Sequence, residues 1–199
     1  PMTTPCSPVE SHVQTLISEA ASVIGGLAIQ TRRIAEAAEA CVVTLRAGGK
    51  ILTAGNGGSA AEALHMAEEF IGRFRSNRPS LPAICLCADP TALTCIANDF
   101  GYDAIFARQI EGLGRPGDLL ILFTTSGNAR NLELALETAR RLGIRVLCLT
   151  GKTGGRLANR GDWEIRVMDD RTERIQEAHQ VVVHILLDAV EQAFSPSPC

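Results

Sequence analysis

Five short, almost wholly apolar runs, at 50–54, 82–88, 118–125, 145–150 and 163–168, constrain this chain more than any other feature. Helical patterns lie between most of them, at 59–74, 91–111, 129–142 and 154–160, and a last one spans 172–194. A strand with one wet face alternates polar and apolar residues, whereas a strand covered on both faces is apolar throughout. Strands of the second kind alternating with helices predict a five-stranded parallel sheet inside a three-layer α/β sandwich. Right-handed crossovers make that sheet doubly wound and place its ligands at the carboxyl ends of the strands. At 199 residues the chain is read as one domain, 1–199, with Pro- and Ser-containing tails at 1–8 and 195–199 expected to fray. Pro1 ahead of Met2 reads as the remnant of a cleaved tag.

Before the first strand, residues 9–47 read as a helical hairpin, broken at Gly25-Gly26 and ended by Gly48-Gly49. A sheet does not need this hairpin, so its apolar faces are expected to pack against another subunit. Covering the chain's own core would produce the same pattern. The net charge of −3 argues against broad binding to nucleic acid or an anionic membrane. The sequence holds no unbroken apolar run of the ~18–20 residues a membrane span needs and no signal-peptide pattern, so a cytoplasmic location is expected. The seven cysteines (Cys6, Cys41, Cys85, Cys87, Cys95, Cys148 and Cys199) include no Cys-x-x-Cys pair and sit mostly in apolar segments. They read as reduced thiols.

The first strand runs into Gly55-Asn56-Gly57-Gly58-Ser59, and a helix follows. Bare backbone N–H groups and a hydroxyl at a helix N-terminus suit an anion, phosphate above all. On that helix His65 and Glu69 are spaced i, i+4 and share a face. GNGGSA also fits the dinucleotide fingerprint G-x-G-x-x-A, but the acidic residue expected about 20 residues on is missing; Asp89 lies roughly thirty residues beyond Ala60. No Gly-Lys-Ser/Thr follows, which excludes a Walker loop. The third strand runs into Thr124-Thr125-Ser126-Gly127-Asn128, again just ahead of a helix. Three hydroxyls and a helix N-terminus can satisfy a phosphate monoester without lysine, whereas caps and a tight turn would use one or two of them.

GNGGSA and TTSGN, in that order after the first and third strands, resemble the sugar isomerase (SIS) domain family. HMAEEFIGRF, TALTCIANDFGYDAIFARQIEGLGRPGD and RIQEAHQVVVHIL narrow the resemblance to the phosphoheptose isomerase family, over nearly the whole chain. It implies an enzyme converting D-sedoheptulose 7-phosphate to D-glycero-D-manno-heptose 7-phosphate for bacterial surface-heptose (lipopolysaccharide) precursor synthesis. It also implies a homotetramer with active sites between subunits, and zinc. The metal ligands it implies are His65, Glu69, Gln176 and His184. Asn56, Gly57, Gly58, Ser59, Thr124, Thr125, Ser126 and Asn128 are implied around the phosphate and sugar, with Arg73, Asn98, Asp99 and Gln176 lining the pocket. A non-catalytic SIS-domain regulator that binds phosphosugar or a replication initiator is the alternative, and His184 distinguishes the two because a regulator needs no imidazole there.

Ketose–aldose interconversion moves a proton between C1 and C2 through an enediolate and needs a base, an acid and positive charge near two oxygens. Glu69 and His184 are assigned to proton transfer. Zinc suits imidazole and carboxylate donors, but a carboxylate bound to zinc is a poorer base. Either Glu69 leaves the metal during turnover or the metal mainly organises the site. Gln176 and His184 stand eight residues apart, about 12 Å along a straight helix. They reach one ion if their side chains converge, if Gln176 lies at an irregular helix start, or if a neighbouring subunit supplies one of them. His179 is read as structural or pocket-lining. Ala129, Leu64 and Glu62 depart from the family's usual serine, glutamine and aspartate, and Thr124 replaces a serine but keeps its hydroxyl.

Overall fold

The computed structural model describes residues 7–195. Of the tails expected to fray, 1–6 and 196–199 lie outside the described residues, with Cys6 and Cys199. Ser7 and Pro8 instead begin the first helix, α1 (Pro8–Gly25). The Ser7 hydroxyl accepts the Glu10 N–H at 3.1 Å and the Glu10 carboxylate accepts the Ser7 N–H at 3.4 Å. This reciprocal capping satisfies two donors that a helix start otherwise leaves bare.

Gly25 and Gly26 both stay right-handed helical. A 3-10 segment, Gly26–Gln30, therefore links α1 to α2 (Thr31–Arg46) in place of the expected hairpin turn. The two helices meet different parts of the protein. In α2, Ile34, Ala37, Ala38, Cys41 and Leu45 recur at helical spacing and are buried, whereas no residue of α1 is buried. Val9, Val13 and Ile17 of α1 are exposed. Within Pro8–Arg46 one 18-residue window reaches a mean hydropathy of 1.2, enough by length and composition alone for a span. Gln14, Thr15, Ser18, Glu19 and Ser22 interrupt the apolar residues there, and α2 is committed to the core.

The sheet holds β1 (Ile51–Gly55), β2 (Ala83–Cys85), β3 (Leu119–Phe123), β4 (Arg145–Gly151) and β5 (Trp163–Val167). All neighbours pair parallel, in the order β2-β1-β3-β4-β5. Along β3, Leu119, Ile121 and Phe123 belong to the core shared with α2, α3 (Gly58–Ile71) and α7 (Thr172–Phe194). Leu120 and Leu122 belong to the opposite core, shared with α5 (Ala107–Leu113) and α6 (Arg130–Arg141). All five are fully buried, worth about 1.5–3 kcal/mol each relative to exposure. The continuous apolar runs are thus explained by a sheet covered on both faces.

Three expected elements differ. The helix read over 91–111 is two, α4 (Pro90–Phe100) and α5, because Gly101 takes a positive φ of 87° and turns the chain. Edge strand β2 has three residues, because Ala88 N–H bonds to Cys85 C=O and closes a turn. The element near 154–160 is a 3-10 turn, Gly155–Leu157.

Candidate active site

The strand order changes direction at β1: β2 lies on one side of it and β3 on the other. Ligands of open α/β sheets bind at such a point, outside the carboxyl ends of the two strands. Gly55 pairs in register with Phe123, so the two loops read as phosphate cradles leave the sheet side by side. Helices α3 and α6 start from these loops without a side-chain cap, their N-cap positions being Gly57 and Ala129. Both therefore keep bare N–H donors at the crevice. Ala129, the departure from the family's serine, stands at the N-cap itself.

The hydroxyls of the second loop have structural partners as well. Thr124 Oγ1 accepts the Gly127 N–H at 3.0 Å and Ser126 Oγ accepts the Asn128 N–H at 3.2 Å. A hydroxyl that accepts still has its own proton to donate, so turn formation and phosphate binding are compatible here. Asn128 Oδ1 accepts the Arg156 N–H at 3.2 Å, and Thr125 is half-buried beside them. Ser59 is buried in the first turn of α3. A Cβ at Gly58 would come within 2.3 Å of Gln176 Nε2; only glycine lets α7 lay that amide on the first loop.

Asn56 joins the two loops. It exchanges two amide hydrogen bonds with buried Asn131 of α6, at 3.0 and 2.9 Å, and accepts the Tyr102 hydroxyl at 2.8 Å. Beside it a cavity of about 360 Å³ opens between the first loop and α4, with Cys87, Leu93, Thr94, Ala97 and Tyr102 in its wall. Asn98 and Asp99 lie one turn further on, exposed and bonded to each other at 2.8 Å. Arg73 is exposed after α3. Among the described residues, no side-chain hydrogen bond ties these three to either loop.

The other half of the site lies between α3 and α7. His65 Nε2 is 3.3 Å from Glu69 Oε1. The Gln180 amide nitrogen lies 3.1 Å from His65 Nδ1 and 3.0 Å from His184 Nε2. An amide nitrogen only donates, so both ring nitrogens accept, and the His65 proton sits on Nε2 facing Glu69. The His65 and His184 rings meet edge to face at 5.5 Å. Partial burial and the neighbouring His65 ring hold His184 below the usual imidazole range, which keeps it a free base at neutral pH. His65, Glu69 and His184 are thus gathered within one chain, and α7 is regular through Gln176, which removes an irregular helix start from the alternatives. Gln180 went unread in the sequence, although Gln176, Gln180 and His184 at i, i+4 and i+8 mark one stripe of α7.

Two buried pairs support this cluster. Arg78 reaches the last carbonyls of α3, donating to Glu69 O at 2.7 Å and Phe70 O at 2.9 Å, and pairs with Glu191 of α7 at 3.1 Å. The helix carrying Glu69 is thereby tied to the helix carrying His184. Glu62 of α3 faces His179 of α7 at 4.0 Å, and neither Glu62 oxygen nor His179 Nδ1 has a hydrogen-bond partner. Burial pushes the Glu62 carboxyl up to about 8 and the His179 imidazole down to about 4, so both are neutral near pH 7. His179 Nε2 donates to the Thr150 carbonyl at 3.0 Å.

The His65, Glu68 and Glu69 donor atoms lie within 4.8 Å of one another. Imidazole and carboxylate at that spacing, with His184 beside them, form a donor set that fits a zinc-like cation.

The SIS domain family model matches residues 17–151. The phosphoheptose isomerase of Akkermansia muciniphila is 44% identical over 184 residues, spanning 92% of this chain and 97% of that protein. The solved phosphoheptose isomerase GmhA from Neisseria gonorrhoeae superposes with a TM-score of 0.86 at 36% identity, covering 92% of this chain and 99% of its own. A phosphoheptose isomerase structure from Francisella tularensis gives 0.85 at 37% identity, covering 96% and 100%. This chain therefore belongs to the SIS domain family and, within it, to the phosphoheptose isomerases.

Proposed function

We propose that the protein isomerises D-sedoheptulose 7-phosphate to D-glycero-D-manno-heptose 7-phosphate, supplying precursors of bacterial surface heptose. The observation that carries this reading is the placement of two uncapped helix N-termini and a run of hydroxyls in one crevice of a chain that also gathers His65, Glu69 and His184. The phosphate binds at 56–59 and 124–128, leaving the carbonyl end of the sugar to reach the histidine cluster. Glu69 and His184 then exchange a proton with C1 and C2 on either side of an enediolate. His184 enters as the neutral base; His65 and Gln180 orient the pair.

His65, Glu69 and His184 would hold zinc, which when bound polarises the two substrate oxygens. Gln176, laid on Gly58, serves the phosphate side within its own chain or the metal of a neighbouring subunit. The enzyme assembles as a homotetramer through α1 and a cavity of about 300 Å³ lined by Ile24, Leu27, Ile34, Val181 and Ile185, with sites between subunits. A cytoplasmic location suits a phosphorylated substrate and the free thiols of Cys41, Cys85, Cys87, Cys95 and Cys148. The regulator alternative explains neither the His184 base nor the full-length likeness to phosphoheptose isomerases.

The test is incubation of metal-replete protein with sedoheptulose 7-phosphate, following the aldose product. Turnover by the wild type and a loss of about 10²–10⁴-fold in His184→Ala and Glu69→Ala are expected. No turnover with this or related ketose phosphates would overturn the proposal.

A further inference from the structure

We propose that Asn131 and Tyr102 are positioning residues, which clasp the two anion loops into a single phosphate site by holding the Asn56 amide. The proposal rests on the reading of 56–59 and 124–128 as the two halves of that site.

Asn56 is the first residue beyond β1, and Asn131 lies in the first turn of α6, two residues past the N-cap Ala129. They stand 75 residues apart in the chain. Each amide gives one N–H to the oxygen of the other, at 3.0 and 2.9 Å. Two parallel bonds fix direction as well as distance, because neither amide can turn without breaking both. Asn131 is only 1% exposed, so water does not compete for the pair. The Tyr102 hydroxyl donates to Asn56 Oδ1 at 2.8 Å and fills its second lone pair. One N–H of Asn56 is left over, in the wall of the cavity of about 360 Å³ that Tyr102 also lines.

Asparagine at a helix start ordinarily bonds to that helix's own N–H groups. Here neither side chain does so, and α3 and α6 both begin without a side-chain cap. The two amides are spent on each other, and the backbone donors of both helices stay bare. Donors from two loops grip one phosphate only when their separation is held, since an N–H···O bond weakens steeply once its angle falls below about 120°. The sheet sets the strand ends, with Gly55 in register with Phe123. Residues 124–129 then lie between β3 and α6 with no strand or helix of their own. The amide pair closes that gap by tying the start of α6 to the end of β1. Tyr102 begins the 3-10 turn that follows α4, so a third element is tied to the same amide.

The test titrates inorganic phosphate into the full-length protein by calorimetry, comparing wild type with Asn131→Ala, Tyr102→Phe, Asn56→Ala and the variants that combine Asn56→Ala with each of the others. Asn131→Ala should weaken phosphate roughly tenfold, and Tyr102→Phe, which keeps the ring and loses one donor, about threefold. Because both act through Asn56, neither should weaken phosphate further once Asn56 is alanine, whereas independent contributions would multiply. With metal-replete enzyme, KM for sedoheptulose 7-phosphate should rise by similar factors while kcat stays within about twofold, since the clasp serves the phosphate end. Unchanged phosphate affinity in Asn131→Ala and Tyr102→Phe, with a loss only in urea midpoint, would reduce the pair to packing and overturn the proposal. Losses that multiply in the combined variants would overturn the route through Asn56. Should Asn131→Ala fail to fold, Tyr102→Phe, exposed and nearly isosteric, decides the same question with and without Asn56. If the wild type binds phosphate but turns over no ketose phosphate, the isomerase reading fails while the titrations still decide the clasp. A wild type that binds no phosphate would overturn the clasp itself.

Discussion

Glu62 and His179 meet between α3 and α7 as two neutral groups with unpaired polar atoms, and their opposed shifts leave a signature in stability. Glu62 holds its proton more tightly folded than unfolded, about 8 against an ordinary 4.5, so its contribution falls as pH rises through that window. His179 holds its proton less tightly, about 4 against 6.5, so its contribution rises with pH between those values. The two slopes oppose each other from 4.5 to 6.5, and above 6.5 only Glu62 acts. The wild type should therefore lose on the order of 1–2 kcal/mol between about pH 6.5 and 8, and Glu62→Gln should not. Urea midpoints across that range check this; parallel curves would show that Glu62 does not carry the effect. At this scale the sequence showed what one element contains. His65 and Glu69 were legible because i, i+4 spacing on a helix needs no knowledge of the fold. Gln180, Asn131 and Arg78 were not, since each acquires its role from a partner on another element.

Helix α3 carries Glu69 in its last turn, where carbonyls lack intrahelical partners. Arg78 satisfies two of them and is itself neutralised by Glu191, with side chains only 1% and 7% exposed. Removing Arg78 leaves Glu191 buried without its counter-charge, held only by the Arg75 and Ser76 N–H groups and the Ser76 hydroxyl, and breaking a buried pair in this way costs about 3–5 kcal/mol. Arg78→Ala should lower stability by that order. Arg78→Lys, which keeps the charge and loses the fork, should depress kcat while leaving KM nearly unchanged. An equal fall of kcat and stability in both variants, or a rise confined to KM, would reduce the pair to a packing feature. Element types were readable because burial on both faces leaves a distinct apolar run. Boundaries were less so: the run at 82–88 continues past β2 because the turn at Cys85–Ala88 is itself apolar, and α4 ends at Gly101 through a backbone angle that composition does not encode.

The whole molecule presents α1 with Val9, Val13 and Ile17 exposed, and Ile29 just beyond it. An apolar stripe of this kind calls for a covering surface. In solution the protein should measure as a tetramer, and Val13→Glu with Ile17→Glu should shift it to smaller species with reduced turnover; a clean monomer in the wild type would refute the assembly. The sandwich itself was legible from the chain, whereas the meeting of α3 with α7 was not, because residues more than a hundred positions apart come together only through the crossover topology.

In the proposed reaction Glu69 and His184 move a proton at the carbonyl end of a ketose phosphate. Exchange of the C1 hydrogens of sedoheptulose 7-phosphate with deuterated water, followed by proton NMR with metal-replete enzyme, addresses it directly. The wild type should wash out one C1 hydrogen stereospecifically as aldose accumulates, and Glu69→Gln and His184→Gln should slow that loss by at least about 100-fold. Aldose formation with exchange undiminished in both variants would contradict the assignment.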